Sequence, residues 1–316
     1  MREWNGKRYH SLDYFLKEKF GEKVFKISLD AGFTCPNRDG TVASGGCIFC
    51  SKKGSGDFTL GSKKNISAQF NDMKKIMKSK WKSKKYIAYF QAFTNTYGPV
   101  EKLRELYYEA LVQEGVVGIA IATRPDCLNE EVLDLLSEIN EKTYLWVELG
   151  LQTSNEDIAE YINRGYELRV FDEAVEKLNK KGIDIVVHII FGLPGESKES
   201  MMETVRYVSL KNICGIKFHL LHLVKDSPLY EIRKKDEIKF LTKEEYIDLI
   251  CRSISILPEN LVIHRLTGDG PRDTLIEPLW SLKKWEILNE IDMVLKMRDI
   301  YQGIEFSVLP EDTYKT

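Results

Sequence analysis

Apolar residues along this chain recur in two alternating registers. Short runs rich in β-branched and aromatic residues lie at 23–29 (KVFKISL), 86–93 (YIAYFQAF), 116–123 (VVGIAIAT), 144–151 (YLWVELGL), 183–192 (IDIVVHIIFG), 216–224 (IKFHLLHLV) and 261–267 (LVIHRLT). Near-continuous apolar runs of this length read as strands buried on both faces. Between them lie longer stretches with helical spacing. In 99–114, Leu103, Leu106, Tyr107 and Leu111 share one face, and Pro99 suits a first helical turn. The stretch 128–142 begins at Asn129 and 155–165 at Asn155, both good caps. The stretch 168–182 stops at Lys-Lys-Gly, and 198–212 follows the fifth strand.

Strand and helix alternate about six times between 23 and 225, which predicts an α/β fold of right-handed βαβ units on a parallel sheet. That count falls short of a closed eight-unit barrel, so a partial (β/α)6 barrel is expected. Residues 1–22 read as an N-terminal extension. Residues 226–316 read as a largely helical C-terminal extension packing on the barrel, with helices at 242–257 and 282–299. The run 261–267 lies between those two helices. No internal repeat or low-complexity linker divides the chain.

Composition changes this picture little. The chain has 316 residues, 43% hydrophobic and 30% charged, which is ordinary for a globular protein of one large or two smaller domains. Its first residues, MREWNGKRYHSLDYF, contain no apolar signal core, and no run is long enough to span a bilayer. A cytoplasmic protein with reduced thiols is therefore expected. In that setting six cysteines point to metal or redox chemistry rather than to disulfides. Net charge is −2, so the whole molecule is no polycation. One stretch differs: 74–86, KKIMKSKWKSKKY, places seven lysines in twelve residues around Trp81. It reads either as a solvated helix end and loop, or as a patch that contacts phosphate.

Half of the cysteines fall in FTCPNRDGTVASGGCIFCS, at Cys35, Cys47 and Cys50. Cys47 and Cys50 have a zinc-type spacing, but a structural zinc normally takes four ligands and no second pair is present. Cys127, Cys214 and Cys251 are single and scattered. Iron–sulfur clusters are also held by thiolates, four of them when the cluster is closed. Three thiolates on a cubane leave one iron open to a ligand that chelates through an amino nitrogen and a carboxylate. The three cysteines follow the first strand, on the side of the sheet where barrel active sites collect.

The motifs FKISLDAGFTCPNRDGT (25–41), GGCIFC (45–50), FQAFTNTYGP (90–99), TRPDCL (123–128), ELGLQT (148–153), NRGY (163–166) and HIIFGLPGES (188–197) carry a resemblance. The chain resembles the radical S-adenosylmethionine (SAM) superfamily, in its YtqA/YhcC-like branch related to the elongator radical-SAM subunit. Most of that superfamily spaces its cysteines three and two apart; here the gaps are eleven and two, a longer cluster loop.

The resemblance implies a [4Fe-4S] cluster on Cys35, Cys47 and Cys50, SAM on its open iron, and a 5′-deoxyadenosyl radical. It implies SAM contacts from Gln91, Phe93 and Asn95 at the end of the second strand and from Thr123 at the end of the third. Glu148 or Gln152 would meet the SAM ribose or the substrate, and Arg169 the SAM carboxylate. Gly192 would let the backbone approach the adenine. Glu148 and His188 are the expected catalytic residues; a carboxylate inside LWVELGLQ needs partners if it is buried. His219 and His222 stand three apart on one strand run, so they are expected to face opposite sides. The loop HRLTGDGPRD (264–273) has no phosphate-loop pattern, and a substrate-side role falls to Arg265 or Asp269. The relatives imply a tRNA substrate, at the wobble uridine side chain of the carboxymethylaminomethyl to aminomethyl type. They also imply a reducing partner such as flavodoxin or ferredoxin. Two other readings stay open: a radical SAM enzyme acting on a small molecule or a protein, and a non-catalytic zinc-bearing RNA-binding module.

Overall fold

A computed structural model describes residues 4–54, 59, 61–78 and 84–306. The chain runs through α1 (Leu12–Phe20), β1 (Val24–Leu29), α2 (Ile66–Lys78), β2 (Lys85–Phe90), α3 (Val100–Leu111), β3 (Val116–Thr123), α4 (Glu130–Lys142) and β4 (Tyr144–Gln152). It continues through α5 (Glu156–Tyr161), α6 (Leu168–Lys180), β5 (Asp184–Phe191), α7 (Lys198–Ser209), β6 (Gly215–Leu220), β7 (Leu223–Val224) and α8 (Pro228–Arg233). Last come α9 (Lys243–Ile256), β8 (Val262–Arg265), β9 (Leu275–Glu277) and α10 (Lys284–Met297).

Seven strands form one sheet in the order β1-β2-β3-β4-β5-β6-β8, each pair parallel, curled into a half-barrel. The six expected strands are all present. The seventh, β8, comes from the segment expected to lie outside the barrel: after the α9 crossover, Ile263 pairs with Ile216 of β6. Two strands end earlier than their apolar runs suggest. β2 stops at Phe90, and β6 stops at Leu220, after which Leu223–Val224 pairs antiparallel with β9.

The outer face of the sheet packs on the helices through fully buried Phe70, Tyr107, Leu136, Phe171, Val205 and Ile250. A separate cluster fills the lower half of the barrel interior: Ile87, Ala120, Trp146 and Val186, with Leu16 of α1. Residues 4–22 pack against the barrel. Ser11 caps α1 by accepting the Tyr14 N–H, Gly21 ends it at φ +75°, and Leu12, Phe15 and Phe20 also turn toward the barrel floor. The preceding strand-like segment is tied to β8, where the Ile263 N–H donates to the His10 carbonyl at 2.7 Å. With its lower half apolar and plugged, the barrel keeps polar side chains for the upper half.

The described parts of the lysine-rich run, 74–78 and 84–86, lie at the end of α2 and the start of β2, opposite that polar half. Lys74 is buried, and its ammonium donates to the Glu114 carbonyl at 2.8 Å and carboxylate at 2.9 Å. The Lys85 ammonium donates to the Phe20 carbonyl at 2.8 Å. Tyr86 is a core residue packed edge-on against Phe70, so it is not available to stack on a base. Trp81 lies outside the described residues.

Candidate active site

Beyond Leu29 the chain enters the cysteine loop. Cys35, Cys47 and Cys50 all line one cavity at the C-terminal ends of the strands. Main-chain and amide contacts set the shape of this loop. The Arg38 N–H donates to the Cys35 carbonyl at 2.8 Å, Gly46 N–H to the Asn37 carbonyl at 2.8 Å, and Cys50 N–H to the Cys47 carbonyl at 3.0 Å. The loop is sewn to the barrel by Ile48 N–H donating to the Ile162 carbonyl at 3.0 Å and Leu229 N–H donating to the Ile48 carbonyl at 2.8 Å. Asn37 and Asn163 cross-link it: the Asn37 amide donates to the Asn163 carbonyl at 2.6 Å, and the Asn163 amide to the Gly46 carbonyl at 2.8 Å. Gly46 adopts φ +81°, and a Cβ there would stand 2.8 Å from the Arg38 Nε, so the arginine needs this glycine.

The thiols lie in a cationic setting. A hydrogen bond from Cys50 draws the Cys47 thiol below its ordinary value, against burial and with help from Arg124, Asn37 and Arg38. Cys50 is driven the other way, first by that same hydrogen bond and then by burial. Thiolate is the metal-binding form, and neighbouring arginines favour it. Among the described residues no three His, Cys, Asp or Glu side chains converge on a single point, as one metal ion needs. Three thiols spread around one cavity, with guanidinium groups beside them, fit an anionic multi-iron cluster. Cys127, Cys214 and Cys251 are not among the residues lining this cavity.

Gln91, Phe93, Thr123, Glu148, Gln152 and His188 line the same cavity. Phe93 and Gln152 both hold left-handed backbone, φ +59° and +72°, which is costly for residues with a Cβ and clusters at sites. Phe93 is pinned there: its N–H donates to the Gly54 carbonyl at 2.8 Å, and a Cβ on Gly54 would strike its ring at 2.4 Å. Three expected SAM contacts lie elsewhere. Asn95 is fully buried behind the strand ends, its amide donating to the Ala122 carbonyl at 2.9 Å and the Phe90 carbonyl at 3.2 Å, because the strand alternation stops at Phe90. Gly192, at φ +85°, lines a separate outer groove with Leu241 and Glu196. Arg169 is 71% exposed on α6 and bound to Glu173 at 2.5 Å, a surface pair outside the cavity.

The arginines that do line the cavity are Arg38, Arg124 and Arg164, and the last two are held fast. Arg164 is 1% exposed; it donates to the Thr153 carbonyl at 2.8 Å, the Tyr166 carbonyl at 3.0 Å and Glu156 at 2.8 Å. Arg124 grips Asp126 through two parallel bonds of 2.9 and 2.7 Å and donates to the Arg164 carbonyl at 2.8 Å. Tyr166 lies against both guanidinium groups and donates to the Gly150 carbonyl.

Below the thiols sits a polar core. Glu148 is 1% exposed, and its Oε2 takes bonds from the Tyr89 hydroxyl at 2.7 Å, His188 Nε2 at 2.7 Å and the Lys217 ammonium at 2.8 Å. Its Oε1 accepts the Trp146 indole N–H at 3.0 Å, with the Lys26 ammonium 3.7 Å away. Burial alone would raise this carboxyl, but Lys217 and Lys26 outweigh burial and hold it well below the usual range. Burial lowers His188 to about 4, with Lys217 adding to the effect, so the imidazole is neutral at pH near 7. An ionised carboxylate accepts only; hence His188 donates its Nε2–H and keeps Nδ1 as an acceptor. Burial likewise lowers Lys217 to about 7, although Glu148 pulls it upward. Tyr89, Lys217 and Lys26 lay outside the sequence expectations, because no motif links Glu148 to residues 59 and 69 positions away, as Tyr89 and Lys217 are, or to Lys26, which is farther still; only strand register brings them together.

His219 and His222 do not face opposite ways. The strand stops between them, and both line one recess beside Cys50 and Ser51. Gly268 approaches both rings. Their Nε2 atoms are buried without a hydrogen-bond partner among the described residues, and burial lowers His222 to about 4.

Comparison with known proteins agrees with this geometry. Residues 37–208 match the family model of the radical SAM superfamily, and residues 213–297 the radical SAM C-terminal domain. The chain is 52% identical over 307 residues to YtqA of Bacillus subtilis, covering 97% of this chain and 95% of that one. It is 27% identical over 165 residues to the tRNA uridine(34) acetyltransferase of Methanocaldococcus jannaschii, covering 51% of this chain and 30% of that one. Among solved structures, the Elp3 of Methanocaldococcus infernus superposes with a TM-score of 0.70 at 17% identity, over 88% of this chain and 64% of that one, a likeness of fold.

Proposed function

This chain belongs to the YtqA/YhcC-like branch of the radical SAM superfamily, and on that premise we propose that it modifies the wobble uridine of tRNA, taking a carboxymethylaminomethyl-type side chain toward the aminomethyl type. The observation that carries the enzymatic reading is that three thiols and the Glu148–His188–Lys217 core open on one cavity. The cofactors are a [4Fe-4S] cluster and SAM. When bound, they supply a 5′-deoxyadenosyl radical that removes one hydrogen atom from the substrate.

The chain's own residues do the rest. Cys35, Cys47 and Cys50 would hold the cluster, and Arg38 and Arg124 would offset its negative charge. Gln91, Phe93, Thr123 and Gln152 border the space left for SAM. Glu148 orients His188 and Lys217, so an imidazole acceptor and an amine of lowered basicity face the cavity for proton handling. The apolar floor keeps water from the radical. Support for tRNA comes from the relative named for uridine 34 and from the fold shared with Elp3. A cytoplasmic setting and a one-electron carrier such as flavodoxin or ferredoxin complete the reading; among the described residues no helix is long and apolar enough to cross a membrane.

The test is mass spectrometry of tRNA nucleosides from cells lacking this gene. Carboxymethylaminomethyl-type uridine should accumulate and its aminomethyl-type product disappear. Unchanged wobble uridines would sink the substrate assignment. Anaerobic SAM cleavage stimulated by a metabolite pool but not by tRNA would favour a small-molecule enzyme instead.

A further inference from the structure

The half-barrel is open along its side, between β1 and β8, and a second chamber of about 480 Å³ occupies that gap. Its floor is the N-terminal segment at Tyr9, Ser11 and Leu12, and one wall is the start of α10. It joins the cofactor cavity directly, since Tyr89, Gln91 and Lys217 line both.

Four cations line this chamber: Lys26, Lys217, Arg265 and Lys284. Two carboxylates serve them. Glu148 lies beside Lys217 and Lys26, and Asp269 pairs with both Arg265 and Lys284. The remaining acid on the lining, Asp13, is matched by Lys17 at 2.6 Å. His264 also lines the chamber, and burial keeps it neutral. The chamber thus carries more positive than negative charge, and with Lys217 neutral three cations still face two carboxylates. Burial lowers both buried ammonium groups and Glu148 attracts both, yet Arg265 and Lys284 repel that of Lys26, and Lys26 and Arg265 repel that of Lys217. Partly buried cations without enough counter-charge are unfavourable unless something anionic completes the set. A Debye atmosphere does not reach into a recess of this size as it reaches a surface.

We propose that Lys26, Arg265 and Lys284 of this lateral chamber grip an anionic group of the substrate, a carboxylate or a phosphate. The reacting carbon then lies toward Tyr89 and Gln91, where chamber and cofactor cavity meet. The inference rests on the radical SAM reading of the cavity, not on the choice of tRNA.

The experiment uses SAM-loaded, cluster-replete protein. Anticodon stem-loop RNAs carry carboxymethylaminomethyluridine, the matching carboxamide, or plain uridine at the wobble position. The carboxylate RNA should bind at least tenfold more tightly than the carboxamide. Arg265→Gln and Lys284→Gln should erase that margin, chiefly by weakening the carboxylate RNA, with iron and sulfide content certifying that both variants fold and load. In parallel, the thermal midpoint is followed with inorganic phosphate or acetate at fixed ionic strength. A bound anion raises it in the parent and not in Arg265→Gln. If phosphate but not acetate stabilises and the carboxylate margin is absent, the anion gripped is a phosphate. If all the RNAs bind alike while both small anions stabilise, the chamber stands and the wobble-uridine reading falls. If neither a carboxylate margin nor a small-anion effect dependent on Arg265 is seen, the chamber proposal is overturned.

Discussion

At the residue scale one cavity gathers Cys35, Cys47 and Cys50 and leaves Cys127, Cys214 and Cys251 outside its lining. Cys35→Ala, Cys47→Ala and Cys50→Ala should each abolish iron and sulfide uptake while the far-ultraviolet circular dichroism stays that of the parent. Cys127→Ala and Cys214→Ala should bind the full complement, about four of each per chain. Glu148 is the second sensitive point. Glu148→Gln leaves Lys217 and Lys26 without their counter-charge in a buried place, and should cost roughly 3–5 kcal/mol in chemical denaturation. Adding Lys217→Met to that variant should cost less than the sum of the two changes, since the pair acts as a unit. Glu196 gives a pH signature. Burial pushes it from 4.5 up to about 7, against hydroxyl bonds from Thr153 and Ser200. The folded chain therefore favours its protonated form, and that stability is present below 4.5 and lost as pH rises through about 7. Wild type should lose thermal stability between about pH 5 and pH 8, and Glu196→Gln should lose less over the same interval. A parallel decline in both proteins would assign the effect to other groups.

At the scale of elements, periodicity made the strands and most helices legible, because each buries a defined face in the way its spacing requires. The shared placement of Cys35, Cys47 and Cys50 was legible too, since all three follow the first strand within one short loop. What stayed hidden depended on where strands stop and how they register. Asn95 looked continuous with Gln91 and Phe93, but the backbone turns left-handed at Phe93 and carries Asn95 out of the cavity. His222 looked opposed to His219 until the strand ended between them. Arg169 had a warning in plain view: Glu173, one helical turn on, is the partner an exposed arginine usually takes. The floor helix α1 also left a trace, with Leu12, Phe15, Leu16 and Phe20 on one side of a short helix. Leu16 is 2% exposed, so Leu16→Ala should destabilise by about 2–5 kcal/mol and loosen the barrel floor. Hydrogen exchange should then rise first in α1 and in β8, which the His10–Ile263 bond ties to the segment just before α1.

At the scale of the whole molecule, the net charge is −2, and the described parts of the lysine run, 74–78 and 84–86, lie at the end of the barrel away from the thiols. RNA binding should therefore weaken only gently with salt, with a log–log slope far shallower than the roughly −9 that ten phosphate contacts would give. Lys75→Gln, at the far end, should leave that binding unchanged; a tenfold loss would place the RNA there instead. The cysteine loop has a different kind of consequence. Its shape is kept by bonds to Ile162, Asn163 and Leu229, none of which involves a thiol. A centre dismantled by air is thus lost from a mould that persists, and the protein can be recharged with iron and sulfide while folded, without passing through a denatured state.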